Sequence, residues 1–227
     1  MTIGWCMLTM FEQLCIFSTI KFTQMFKLVM LLAMKDCEKI IEMAQKANGM
    51  VTASDVSKAG LQRRALTECV LAGVLNKGAR GVYFLPDQLE DEFAIWQHTY
   101  PQGVFSGNTA LYLLKKTDRI PYSLYMTFPK GYNVSAAKQN GIKCKIVVAK
   151  RYDLGVRDIL SPYGNVVRCY NIERTLCDIV RGDDVQSMNR AFKEYARSDA
   201  KDIALLMHYA RILHVEKRVR NYMEILL

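Results

Sequence analysis

The feature that most constrains this chain is a series of helix stops and starts between Asn48 and Leu85. Upstream, D-C-E-K-I-I-E-M-A-Q-K-A-N-G-M places Ile40, Ile41 and Ala44 at helical spacing, and Asn48-Gly49 ends the run. Thr52 then opens T-A-S-D, where its hydroxyl can accept from the amide of Asp55 and the Asp55 charge suits a first helical turn. A short helix to about Lys58 meets the turn Ala59-Gly60. The next helix spans Leu61 to Ala72 and is closed by Gly73. Extended runs Val74-Leu75 and Val82-Tyr83-Phe84-Leu85 flank Asn76-Lys77-Gly78-Ala79-Arg80-Gly81, which predicts a hairpin. Helix, helix, tight turn, helix and hairpin, in that order, predict a winged helix-turn-helix over residues 35–86, whose third helix would enter a major groove while the wing lies along the backbone.

The residue types agree with that placement. With Leu61, Ala65, Leu66, Cys69 and Val70 facing the core, Gln62, Arg63 and Thr67 point the other way and Arg64 lies at the edge. Arg and Gln can read guanine and adenine by paired hydrogen bonds, and Thr can meet a thymine methyl. Lys77 and Arg80 at the wing tip, and Lys58 before the turn, suit phosphate. On an isolated helix a row such as Gln62-Arg63-Arg64 is usually a solvated face; its place after the tight turn and before a basic, glycine-flanked hairpin favours DNA binding. Charge is compatible with an anionic partner, since 31 Lys+Arg against 22 Asp+Glu gives +9. The excess is spread along the chain and is locally densest over residues 35–86.

The 7 cysteines (Cys6, Cys15, Cys37, Cys69, Cys144, Cys169, Cys177) form no CxxC and lie mostly in apolar runs, which reads as reduced, buried thiols in a cytoplasmic protein. His98, His208 and His214 are scattered, so no metal site is expected. Residues 1–34 are rich in Met, Phe, Ile, Leu and Cys, but Glu12, Lys21 and Lys27 interrupt them before a membrane-spanning length is reached. They lack a signal peptide's basic start and cleavage site. A start assigned too early, an apolar helix on the body and an interfacial helix all remain; Met34-Lys35-Asp36, which opens an ordinary amphipathic helix, favours the first. Mass spectrometry of protein from the native gene tests that reading, which a mature N-terminus at residue 1 would contradict.

Pro86 and the acidic run Asp87 to Glu92 mark a boundary, with a second region over residues 87–227. There Ser106-Gly107-Asn108 starts a helix through Leu114, and strands are expected at Ser123–Phe128, Lys143–Ala149 and Val166–Tyr170. Helices follow to Arg181, from about Asp184 to Arg197, and from Ser198-Asp199 along a basic amphipathic tail to Leu227. Strands followed by helices give an α+β fold: a winged helix-turn-helix, then a domain with a small sheet and C-terminal helices. In the run Glu173-Arg174-Thr175-Leu176-Cys177-Asp178, Arg174 and Asp178 are i,i+4 neighbours and Glu173 lies in the first turn after an Asn171 cap. A charge network fixing the helix to the sheet is the simpler account of these residues, and a functional polar surface the other. Nucleotidyl transfer by two metals needs grouped carboxylates, and there is no D-x-D; G-x-S-x-G and Walker A sequences are also missing. The chain therefore reads as non-enzymatic, without cofactor.

Most of residues 36–227 resembles the AbiEi family, the antitoxin and transcriptional-regulator half of type IV toxin-antitoxin systems. The resemblance is carried by G-M-V-T-A-S-D-V, A-G-L-Q-R-R-A-L and G-V-L-N-K-G-A-R-G-V-Y in the first region. In the second it is carried by F-S-G-N-T-A-L-Y-L-L, R-I-P-Y-S-L-Y-M-T-F-P-K-G-Y, Y-N-I-E-R-T-L-C-D-I-V-R and N-Y-M-E-I-L-L. It implies a DNA-binding autorepressor that binds inverted repeats in its own promoter. It also implies a C-terminal antitoxin domain countering a cognate nucleotidyltransferase toxin in abortive infection and phage defence, functionally and without requiring a stable complex. Onto this chain it carries Gln62, Arg63, Arg64 and Thr67 as recognition helix and Lys77 and Arg80 as wing. The alternative is a winged-helix regulator of other genes with a C-terminal sensor or interaction domain. No membrane association is expected.

Overall fold

The computed structural model describes residues 35–182 and 184–226, so the apolar segment 1–34 and its alternatives lie outside the described residues. The chain forms two compact units that part between Glu90 and Asp91. Both contain helices and a small sheet, and the second ends in helices, which makes the fold mixed α+β.

In the first unit, helix α1 (35–46) ends where Asn48 and Gly49 both take positive φ, 51° and 82°, and the amide of Gly49 closes the helix on the carbonyl of Ala44 at 2.8 Å. Strand β1 (Met50–Thr52) follows, then α2 (Ala53–Lys58), α3 (Arg63–Leu71), β2 (Asn76–Lys77) and β3 (Val82–Phe84). The three strands form one antiparallel sheet in the order β1-β3-β2, with Met50 and Asn76 both opposite Phe84. The cap expected at Thr52 forms, its Oγ1 accepting from the amide of Asp55 at 3.1 Å while its hydroxyl donates to the Asp55 carboxylate at 2.6 Å. Ile40, Ala44, Val51, Val56, Ala65, Leu66, Cys69 and Leu75 make the core, with Leu61 and Val70 half-buried against it. Strand β1 is an addition to the sequence reading, and two further details differ from it. Helix α3 begins at Arg63, Gln62 being its extended cap residue, and the first hairpin strand is Asn76–Lys77 rather than Val74-Leu75, because Leu75 is drawn into the core.

The second unit is built on a mixed five-stranded sheet in the order β6-β5-β4-β8-β7. Its elements are α4 (Glu92–Thr99), β4 (Val104–Phe105), α5 (Gly107–Leu113), β5 (Tyr125–Pro129), α6 (Ser135–Gln139), β6 (Lys143–Val147), α7 (Ala149–Tyr152), β7 (Val156–Leu160) and β8 (Val166–Tyr170). Helices α8 (Ile172–Ile179), α9 (Val185–Arg197), α10 (Ile203–Ile212) and α11 (Glu216–Leu226) complete it. Central strand β4 pairs parallel with β8 and antiparallel with β5. Phe93, Phe105, Met126, Phe128 and Val167 pack on the sheet, while Leu111, Leu176, Phe192, Leu206 and Val219 join the helices in a second core. The tail expected as one continuous helical run breaks at His214, whose φ is 58°, with Leu213 and Val215 buried on either side of it.

Asp91 fixes the beginning of this unit. It is 1% exposed, yet one carboxylate oxygen accepts from the amides of Phe93 and Ala94 at 3.0 and 3.1 Å. The other accepts from the hydroxyl of Ser161 at 2.5 Å and the side-chain amide Nδ2 of Asn165 at 2.8 Å. One side chain therefore caps α4 and holds the β7–β8 turn, since Ser161 and Asn165 lie between those strands. Asp91→Ala is expected to cost about 2–3 kcal/mol by leaving these donors buried without an acceptor. Urea unfolding checks it; a loss below about 0.5 kcal/mol, the level of an ordinary surface change, would contradict the role.

Candidate functional site

The turn between α2 and α3 is tight because Gly60 adopts φ 74°, a conformation L side chains rarely take, and its amide and that of Leu61 donate to Ser57 O and Val56 O at 3.1 and 3.0 Å. Helix α3 buries Ala65, Leu66 and Cys69, so its other face is turned outward. Gln62, Arg63, Arg64 and Thr67 are all exposed there, and Lys58, the last residue of α2, is exposed beside the turn. Lys77 on β2 and Arg80 in the hairpin turn are exposed as well, Lys77 being a strand residue rather than a tip residue. The hairpin is tied to the start of α2, where the amide of Ala53 donates to the carbonyl of Gly81 at 2.8 Å.

Two partners on this face went unread in the sequence. Arg63 Nε donates to Ser57 Oγ at 2.9 Å, and Arg64 Nε donates to Glu68 Oε1 at 2.8 Å. The second is an i,i+4 ion pair and so was readable from spacing; the first depends on the turn bringing α2 beside the start of α3. The thiols also differ from expectation. Cys37 in the first turn of α1 and Cys69 on the inner face of α3 form a disulfide, with Cα atoms 5.7 Å apart and a sequence separation of 32. Both side chains are directed into the same small core, where proximity is set by helix packing and not by any local motif. Cys169 and Cys177 do fit the expectation of buried free thiols, and burial pushes both up to about 12, where they are inert.

In the second unit, Asn171 caps α8 through its side chain, accepting from the amide of Arg174 at 3.0 Å. Arg174 is fully buried and lies over the Tyr170 ring, 4.2 Å from its centroid. Its Nε donates to Asp178 at 3.0 Å and Nη1 to the carbonyls of Leu154, at 3.1 Å, and Arg151. Glu173 accepts from the hydroxyl of Tyr195 at 3.2 Å, and the hydroxyl of Thr175 donates to Asn171 O at 2.8 Å. Glu173, Arg174 and Thr175 are thus turned into the protein, and Asp178 reaches the surface only as partner of Lys145, at 2.7 Å. This is the geometry of a network that binds helix to sheet. Beside it opens a cleft of about 620 Å³ lined by Ser106, Asn108, Tyr125, Lys143, Lys145 and Asp178, with Lys143 Nζ donating to the Tyr125 hydroxyl at 3.1 Å. Among the described residues no cluster of His, Cys, Asp and Glu could hold a metal ion, and no helix is long and apolar enough to cross a membrane.

No family model matches the chain. No curated protein matches it either. Among solved structures it is similar to the crystal structure of the RV2827C protein from Mycobacterium tuberculosis, with a TM-score of 0.51 and 13% identity over 84% of this chain and 81% of that one. At that identity the likeness is one of fold.

Proposed function

We propose that the chain is a cytoplasmic, non-enzymatic DNA-binding regulator whose first unit is a winged helix-turn-helix and which represses its own operon by binding inverted repeats in the promoter. The observation that carries this is the shared exposure of Lys58, Gln62, Arg63, Arg64, Thr67, Lys77 and Arg80 around one tight turn and one hairpin, on a unit whose apolar core takes Ala65, Leu66 and Cys69 from the opposite side of α3. The motif resemblance in both regions supports a second role, as the antitoxin of a type IV toxin-antitoxin system countering a nucleotidyltransferase toxin. With Glu173, Arg174 and Thr175 buried, a role for that motif in antitoxicity would be to hold the domain's shape rather than to touch a partner. A regulator of other genes with a sensor domain is the competing reading, and the cleft beside Asp178 is the observation that favours it.

Gene context and co-expression separate the two: a nucleotidyltransferase gene directly downstream, whose product arrests growth until this chain is co-expressed, supports the antitoxin, and lack of such a gene or of rescue favours the sensor. For the DNA face, Arg63→Ala and Arg64→Ala are each expected to weaken specific promoter binding by about 1–3 kcal/mol. Lys77→Ala should instead lower affinity for all sequences and reduce the salt dependence by about one phosphate contact. Fluorescence anisotropy on promoter and scrambled duplexes measures both, and unchanged binding in all three variants would move the DNA face elsewhere.

A further inference from the structure

We infer that Arg63 and Arg64 are guanine readers whose guanidinium groups are set before DNA arrives, with Ser57 and Glu68 as their positioning residues; the inference rests on the DNA-binding reading above. Each arginine is held through Nε alone. Ser57 donates its hydroxyl hydrogen to Ala53 O at 2.9 Å, which turns an oxygen lone pair toward Arg63 Nε, itself at 2.9 Å. Glu68, one turn further along α3, holds Arg64 Nε at 2.8 Å. Among the described residues neither arginine has a partner for Nη1 or Nη2. A guanidinium fixed at Nε still presents two parallel N–H groups at its far end, and guanine presents O6 and N7 as a matching pair of acceptors in the major groove. Holding a long side chain in advance also reduces the freedom lost on binding.

The chemistry of Glu68 supports this assignment. It is the acid of α3, on a helix whose outward face otherwise carries the cations Arg63 and Arg64, the neutral Thr67 and the exposed Leu71, and a free carboxylate there would repel phosphate. Its carboxylate, less exposed than the guanidinium (29% against 75%), is placed behind Arg64 as a brace. Glu68 therefore trades some general affinity for discrimination, and loss of its charge should move those two quantities in opposite directions. A carboxylate serving only helix stability would move them together.

The test is selection of bound sequences from a randomised duplex library by the full chain, comparing wild type with Arg64→Lys, Glu68→Gln, Arg63→Lys and Ser57→Ala, with thermal unfolding to confirm that each variant is folded. Wild type is expected to enrich guanine at two positions of each half-site. Arg64→Lys should reduce the preference at one of them about tenfold or more, since a lysine ammonium cannot make the paired contact. Glu68→Gln should weaken guanine preference at that same position about three- to tenfold while affinity for random duplex rises. Ser57→Ala should reproduce, more weakly, the loss at the position governed by Arg63. Guanine preference untouched by Glu68→Gln and Ser57→Ala but lost with the lysine variants overturns the positioning roles. Enriched sites without guanine overturn the readers themselves. If wild type enriches no sequence and binds no duplex, the DNA-binding reading fails, and this inference with it.

Discussion

Arg174→Ala is expected to destabilise the second unit by about 3–5 kcal/mol, the cost of breaking a buried ion pair by removing one partner. The guanidinium is 0% exposed and gathers Asp178, the carbonyls of Arg151 and Leu154, and the Tyr170 ring around one point. Its removal leaves two partly buried carbonyls without this donor, opens a cavity under α8 and leaves Asp178 with Lys145 alone. Arg174→Met, which keeps much of the volume, is expected to lose less than Arg174→Ala. Arg174→Lys should lose nearly as much as the alanine variant, because one ammonium cannot serve acceptors spread over a planar fork. Unfolding in urea, followed by circular dichroism, measures all three. A loss below about 1 kcal/mol for Arg174→Ala would mean that the second unit is not organised around this residue.

Loss of the Cys37–Cys69 bridge is the second large effect. Closing a 32-residue separation constrains the unfolded chain by about 3–4 kcal/mol in the chain-entropy account, a large share of what so small a unit can have. Cys37→Ser is therefore expected to lower the stability of the first unit by about that amount, and a reductant should do the same to the wild type but not to the variant. Cys169 and Cys177, buried and with pKa values of about 12, take no part in this response. A non-reducing digest should contain Cys37 and Cys69 in one linked peptide. In a reducing cytoplasm the bridge forms only when an oxidant is present, so protein purified without reductant is the appropriate sample. No linked peptide, together with identical unfolding with and without reductant, would remove the bridge from the account.

Sequence made the first unit legible because its signals are local. The Thr52 cap, the Gly60 turn and the alternation of Ala65, Leu66 and Cys69 with Gln62, Arg63 and Arg64 are each set by neighbours within one turn of helix. Strand β8 was readable for the same reason, as an apolar run after a turn. Strand β1 was not, since three residues carry no period and become a strand only by pairing with Val82–Phe84 far along the chain. Strand β7 hides Arg157 and Asp158 in its middle, which a sheet edge tolerates and a pattern search rejects. Helix α4 was masked by the acidic run before it, where Asp91 looks like linker charge until Ser161 and Asn165 are brought to it. At the candidate site, exposure of the basic residues followed from helix phase, whereas the Arg63–Ser57 bond and the Cys37–Cys69 bridge depend on which helices pack together.

Contact of DNA with the outward face of α3 and the hairpin is measured by titrating the full chain onto a duplex of its own promoter and onto a scrambled duplex across a salt series. Binding to the promoter is expected to be tighter by at least about tenfold, with affinity for both duplexes falling as salt rises. Arg63→Ala and Arg64→Ala are expected to erase most of the difference between the duplexes, while Lys77→Ala lowers both affinities alike. Equal affinity of the wild type for promoter and scrambled duplex, or a promoter preference that survives both arginine substitutions, would contradict that contact.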